Sequence, residues 1–123
     1  MKKNILIVDD SESIRELVGS TLENAGYNVI KGVNGRDGVD QLLKFEDAIA
    51  LIITDLFMPV MDGIGLIKEV RSLMEFKYVP ILMLTTESHL DKKKEAKNAG
   101  VTGWMVKPFE EDKLLKIVHK VIR

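Results

Sequence analysis

Four apolar runs stand out along the chain, and each stops on a residue with chemistry to offer. Ile5-Leu6-Ile7-Val8 ends in Asp9-Asp10, Leu51-Ile52-Ile53-Thr54 ends on Asp55, Ile81-Leu82-Met83-Leu84 ends in Thr85-Thr86, and Trp104-Met105-Val106 ends in Lys107-Pro108. Runs this continuous lack the in-and-out alternation of a half-solvated strand and fit strands buried on both faces. Between them the apolar spacing changes to three and four. After Ser11, a good N-cap, Ile14, Leu17, Val18, Leu22 and Ala25 fall on one predicted helical face that Gly26 stops. Tyr27 to Lys31 reads as a further short strand, and Asn34-Gly35 opens a second helix with Val39, Leu42 and Leu43 inward. The strand at Ala50–Thr54 follows, then a loop marked by Met58-Pro59 and Asp62-Gly63.

Ile64, Ile67, Val70 and Met74 give the third helix, and Pro80 precedes the next strand. From about Ser88 to Ala99 runs a polar, lysine-rich helix with Leu90, Ala96 and Ala99 as its thin inner face, closed by Gly100. Thr102–Val106 is the fifth strand. The last helix, from about Glu110, carries Leu114, Ile117, Val118 and Val121 inward, with acids in its first turn and Lys120 and Arg123 at its end, as the helix dipole favours. Five βα units in succession predict one α/β domain spanning 1–123, a parallel sheet with helices on both faces joined by right-handed crossovers.

Composition narrows the function more than the fold. At 123 residues the chain is long enough for one full core, and 46% hydrophobic with 30% charged residues is ordinary for a globular protein. With no cysteine, disulfides and thiolate metal sites are excluded. A formal net charge of -1 argues against nucleic-acid binding by bulk electrostatics. The apolar run at the N-terminus is too short for a secretory signal, and no stretch approaches the roughly 20 residues of a membrane span. The expectation is a cytoplasmic protein with no membrane insertion.

In open parallel α/β sheets, ligands bind outside the carboxyl ends of the strands, and that edge is where the chemistry of this chain collects. Each residue alone has a plainer reading. Asp9-Asp10 could be helix-capping residues, Asp55 a turn residue, Thr85 and Thr86 strand ends, and Lys107 a solvated turn. Together they supply three carboxylates, a hydroxyl and an ammonium, the equipment for holding a divalent cation and handling a phosphoryl group.

These segments, Ile7-Val8-Asp9-Asp10, Thr54-Asp55-Leu56-Phe57-Met58-Pro59-Val60-Met61-Asp62-Gly63, Leu84-Thr85-Thr86 and Val106-Lys107-Pro108-Phe109, resemble in order the response-regulator receiver domains of two-component signalling. The resemblance covers essentially the whole chain, whose length is that of the single-domain chemotaxis regulators. It implies a doubly wound, flavodoxin-like (CheY-like) fold with sheet order 2-1-3-4-5. It implies that Asp55 is the phospho-acceptor, that Asp10, Asp55 and the backbone carbonyl of Phe57 hold Mg²⁺ (with Mn²⁺ as a substitute), and that Asp9 assists through water. By the same resemblance Thr85 and Lys107 bind the phosphoryl group, Thr85 and Trp104 form the switch, and Phe57 and Glu87 tune the lifetime of the acyl phosphate.

The implied partners are a histidine kinase and a protein that reads the phosphorylated state, such as a flagellar motor switch component. The alternative is a phosphorelay intermediate or phosphate sink. Such a chain is not an enzyme beyond its own phosphorylation and dephosphorylation. Two positions depart from the commonest family form: Trp104 stands where Tyr or Phe is usual, and Phe57 where many relatives are polar. A haloacid-dehalogenase-type phosphatase would need an acid two residues after the nucleophile, where Phe57 stands. An interaction module without phosphorylation would be expected to lack one of the key residues, and none is missing. His89 and His119 read as solvated, Met58 and Met61 as loop packing, and Lys92, Lys93, Lys94 and Lys97 as a solvated face with an acidic partner surface as the sharper possibility.

Overall fold

The computed structural model describes residues 2–122, so Arg123, expected at the end of the last helix, lies outside the described residues. The elements run β1 (Asn4–Val8), α1 (Glu12–Asn24), β2 (Asn28–Gly32), α2 (Gly35–Lys44), β3 (Ile49–Thr54), α3 (Gly63–Ser72), a 3₁₀ turn (Met74–Phe76), β4 (Ile81–Thr85), α4 (Leu90–Ala99), β5 (Gly103–Val106) and α5 (Glu111–Ile122). All strands pair in parallel in the order β2-β1-β3-β4-β5, as the flavodoxin-like reading required.

Alternate residues of the continuous apolar strands feed two separate cores. Leu6, Val8, Ile52, Ile81 and Met83 face α2, α3 and α4, packing on Val39, Leu42, Ile67, Val70 and Ala96. Ile5, Ile7, Leu51, Ile53, Leu82 and Leu84 face α1 and α5, packing on Val18, Leu22, Leu114 and Val118. A strand so enclosed has no polar face to give up, which is why its sequence shows no alternation.

Helix ends follow the local chemistry. Ser11 caps α1 by accepting the Ile14 N–H, Asn34 caps α2 by accepting that of Asp37, and Asp62 caps α3 by accepting that of Gly65. Gly100 ends α4 at φ 112°, a left-handed turn that costs glycine little.

Five residues expected inside lie outside. Leu17 and Leu43 are 46% and 59% exposed, because each sits about 90–100° around its helix from the centre of the buried stripe. Ala25 is exposed past the end of α1. Met74, 88% exposed, follows the end of α3 in the 3₁₀ turn, where Phe76 takes the buried place instead. Leu90 is 65% exposed because α4 starts at that residue, two later than expected. Among the described residues no helix is long and apolar enough to cross a membrane.

A cation secures the far end of α4. Arg71, on α3, donates through Nε and Nη2 to the Gly100 carbonyl at 3.0 and 2.8 Å and through Nη1 to the Phe76 carbonyl at 3.1 Å. Burial pulls the affinity of this guanidinium for its proton down. With only Ala96 fully buried on α4, this fork supplies anchoring that the helix's apolar face does not.

Candidate functional site

The carboxyl ends of β1, β3, β4 and β5 bring together the residues singled out from the sequence. Asp55 follows β3, and its N–H continues the sheet ladder by donating to the Val8 carbonyl at 2.9 Å. Its Oδ1 accepts the Leu56 N–H at 2.7 Å, and its Oδ2 lies 3.6 Å from Lys107 Nζ. Burial holds the Asp55 carboxyl above the ordinary carboxylate range, and the Asp9 charge adds to this; Lys107, the Leu56 N–H and the Thr85 hydroxyl pull the other way.

Asp9 is only 3% exposed, and every polar atom it owns is engaged. Oδ1 accepts the Ser11 N–H at 2.9 Å, Oδ2 accepts from Lys107 Nζ at 2.9 Å, its N–H donates to the Gly32 carbonyl at 3.2 Å, and its carbonyl accepts from Arg15 Nη1 at 2.6 Å. Asp10 is exposed. One carboxylate oxygen each from Asp9, Asp10 and Asp55 lie within 4.8 Å of one another. An all-oxygen, partly buried set of this density suits a hard divalent cation, and a single ammonium offsets only part of its charge.

Thr85 closes β4 at 1% exposure, its Oγ1 accepting the Glu87 N–H at 3.3 Å. Thr86, next in sequence, is exposed. Lys107 follows β5, and its N–H donates to the Thr85 carbonyl at 2.8 Å. Of the two positions proposed to tune lifetime, Glu87 turns its carboxylate away to cap the approach to α4, with Oε2 accepting the Ser88 and His89 N–H groups at 3.0 and 2.8 Å. Phe57 is 52% exposed, its ring centroid 6.0 Å from Lys92 Nζ on α4. What Phe57 can offer a cation is therefore its main chain.

Trp104, on β5, is half-buried against the α2–α4 core, its Nε1 donating to the Glu87 carbonyl at 3.1 Å. Lys93 Nζ lies 6.0 Å from its ring. Two of the four α4 lysines read as a solvated face thus lean on aromatic rings, one from the acceptor loop and one from the last strand. His89 is the N-cap residue of α4, its side chain 85% exposed, and His119 is exposed on α5. Met58 and Met61, read as loop packing, pack against the α2–α4 core.

Two residues have roles at the site that the sequence did not show, Gly63 reading there only as a loop marker. Gly63, first in α3, leaves no room for a side chain: a Cβ there would lie 2.2 Å from the Asp55 carbonyl oxygen. Arg15 reaches back from the start of α1 to the acid loop, and its signal was a cation placed where the helix dipole disfavours one.

The sequence model of the response regulator receiver domain matches residues 5–119. A chemotaxis protein CheY homolog of Campylobacter jejuni is 36% identical over 119 residues, which cover 96% of this chain and 91% of the relative. The crystallised chemotaxis protein CheY4 of Vibrio cholerae is similar at a TM-score of 0.93 and 45% identity, covering 98% of this chain and 99% of that one. The receiver domain of a sensor histidine kinase from Pseudomonas aeruginosa, solved with a magnesium ion coordinated in its active-site cleft, is similar at a TM-score of 0.89 and 25% identity, covering 99% and 98%. By its four strand-end segments, its sheet order and these likenesses, the chain belongs to the response regulator receiver domain family.

Proposed function

We propose that this protein accepts a phosphoryl group from a histidine kinase on Asp55 and that the modified form is read by another protein, in chemotaxis or a related pathway. The observation that carries this reading is the convergence of Asp9, Asp10 and Asp55, with Lys107 in reach of two of them and Thr85 at the adjoining strand end. Asp10, Asp55 and the Phe57 carbonyl would hold Mg²⁺, with Asp9 assisting through water, and the bound ion would supply neutralising charge at the oxygens of the group in transfer.

An Asp55 carboxylate oxygen forms the new bond to phosphorus as the phosphohistidine P–N bond breaks and the imidazole leaves. Lys107 and the Thr85 hydroxyl take up negative charge on the phosphoryl oxygens. The chain catalyses nothing beyond its own phosphorylation and dephosphorylation. Phe57, unable to hydrogen-bond an attacking water, shields the product, while Glu87 keeps its carboxylate on the Ser88 and His89 N–H groups and so leaves lifetime tuning to Phe57.

The test is incubation with a small phosphodonor and Mg²⁺. One acid-stable, base-labile acyl phosphate per chain is expected, and none with a chelator present. Labelling that survives chelation would remove the metal from the reading.

The switch rests on the Trp104 contacts. Drawing Thr85 toward the phosphoryl group displaces the Glu87 N–H bonded to its hydroxyl and, with it, the Glu87 carbonyl that holds the indole. Beryllofluoride with Mg²⁺ should therefore change the emission of Trp104, the single tryptophan, and Thr85→Ala should weaken the change. An unaltered spectrum at saturation would favour a relay or phosphate sink over an output surface.

A further inference from the structure

Asp10 is the exposed member of the acid cluster, and among the described residues its carboxylate has no hydrogen-bond or ion-pair partner. Asp9 is tied down at every polar atom. What fixes the direction in which Asp10 projects is therefore the peptide unit joining the two, whose oxygen is the Asp9 carbonyl. A peptide is planar, so holding its oxygen orients the N–H and Cα on its other side. That oxygen accepts a charge-assisted bond at 2.6 Å from Arg15 Nη1. Arg15 is itself held at this spot because its own N–H donates to the Ser11 carbonyl at 3.0 Å, in the first turn of the helix that Ser11 caps.

We propose that Arg15 is a positioning residue for the divalent cation: by fixing the Asp9–Asp10 peptide it aims the Asp10 carboxylate at the point where it converges with that of Asp55. This deepens the phosphorylation reading and rests on it. Groups hydrogen-bonded directly to metal ligands typically matter about 10- to 100-fold in metal affinity, and Arg15, acting through the peptide that carries Asp10, belongs at the low end of that range.

Electrostatics and positioning predict opposite signs here. Arg15 carries a positive charge beside an anionic site, so if it acted only as a charge, Arg15→Gln would tighten cation binding. If it aims Asp10, the same substitution loosens it.

The experiment is a Mg²⁺ titration of thermal unfolding at constant ionic strength, for the parent chain, Arg15→Gln and Arg15→Lys, with small-donor phosphorylation rates measured across the same range. The half-saturating Mg²⁺ concentration should rise about tenfold in Arg15→Gln. It should rise in Arg15→Lys too, since the charge is kept but the planar fork is lost. The phosphorylation rate of both should approach that of the parent at saturating Mg²⁺, a split that a general loss of structure would not give. Equal or tighter Mg²⁺ binding by Arg15→Gln overturns the proposal. So does a rate deficit that saturating Mg²⁺ leaves in place. A parent chain indifferent to Mg²⁺ in both measurements would instead overturn the metal-dependent reading on which it rests.

Discussion

Replacing Asp55 with asparagine should abolish the acyl phosphate and, in the absence of divalent cations, make the protein more stable at neutral pH. Both results follow from one placement. The carboxylate oxygen is the atom that bonds phosphorus, and an amide in its place is no nucleophile. The same carboxylate is largely buried beside Asp9, and burial first, then the Asp9 charge, raise its pKa above the ordinary 3.8 against the opposing pull of Lys107.

A native pKa above the unfolded one means that the folded chain holds its proton to higher pH. Stability therefore falls as pH rises from the unfolded value through the raised native one, and stays reduced above it. Asparagine carries no such charge, so its advantage should be absent below both values and complete above them. Thermal unfolding of the two proteins from acid to neutral pH in chelator is the measurement. Adding Mg²⁺ should raise the parent by linkage, about 2.7 kcal/mol at a hundred times the dissociation constant, and should raise the asparagine variant less. A variant that is less stable than the parent at neutral pH in chelator would show that the Lys107 ion pair outweighs burial and repulsion. Undiminished labelling would place the acceptor elsewhere.

The sequence carried the site better than it carried the helix faces, for a physical reason. A strand buried on both sides must be apolar throughout, so the place where it leaves the core is written as an abrupt change of residue type. Val8 to Asp9 and Thr54 to Asp55 are such changes. A helix face has softer edges. Leu17 and Leu43 lie at the rim of their stripes, where three- and four-residue spacing admits them but the sheet does not cover them. Met74 illustrates another limit, since the 3₁₀ turn that exposes it depends on where α3 ends and has no periodicity of its own.

What stayed illegible around the site is held by contacts between a side chain and a main-chain atom outside its own element. Trp104 to the Glu87 carbonyl leaves no pattern in residue type, and Arg15 to the Asp9 carbonyl leaves only a cation oddly placed in the first turns of α1, which names no partner. Val60 is illegible for a different reason. It sits at φ 70° in the acceptor loop, with the Met61 N–H donating to the Pro59 carbonyl at 2.8 Å, a tight turn that a β-branched residue adopts only under strain. Propensity points away from that conformation, and the pinned loop overrides it: the Met61 carbonyl accepts from the Gly35 N–H at 2.9 Å, and the Gly63 N–H donates to the Leu56 carbonyl at 2.8 Å.

Gly63→Ala should be the most damaging single-methyl change in the molecule's functional edge. The first residue of α3 crosses directly over the acceptor, so a Cβ at Gly63 would meet the Asp55 carbonyl oxygen at 2.2 Å, the Leu56 Cα at 3.1 Å and the Asp55 carbonyl carbon at 3.2 Å. All three are main-chain atoms, so no rotamer change relieves the overlap. The Asp55 carbonyl cannot swing away freely either, because it accepts the Thr54 hydroxyl at 2.9 Å and belongs to the residue whose N–H closes the β1–β3 ladder. Either α3 lifts, opening the core that Ile64, Ile67 and Val70 fill, or the Asp55 peptide turns and carries its carboxylate out of line with Asp10 and Lys107. Overpacking of this kind costs roughly 1–3 kcal/mol and sometimes more, and rigid main-chain neighbours put this case near about 3 kcal/mol. For a domain of this size that is roughly a 10 °C fall in melting temperature. Phosphorylation by a small donor should slow by more than the loss of folded protein explains, since a misplacement of about 1 Å at a reacting group is worth on the order of 100-fold. The check is calorimetry together with initial labelling rates measured well below the transition, where the variant is still folded. A melting temperature within a degree or two of the parent, with unchanged labelling, would mean that the crossing of α3 over Asp55 is looser than the 2.2 Å approach implies.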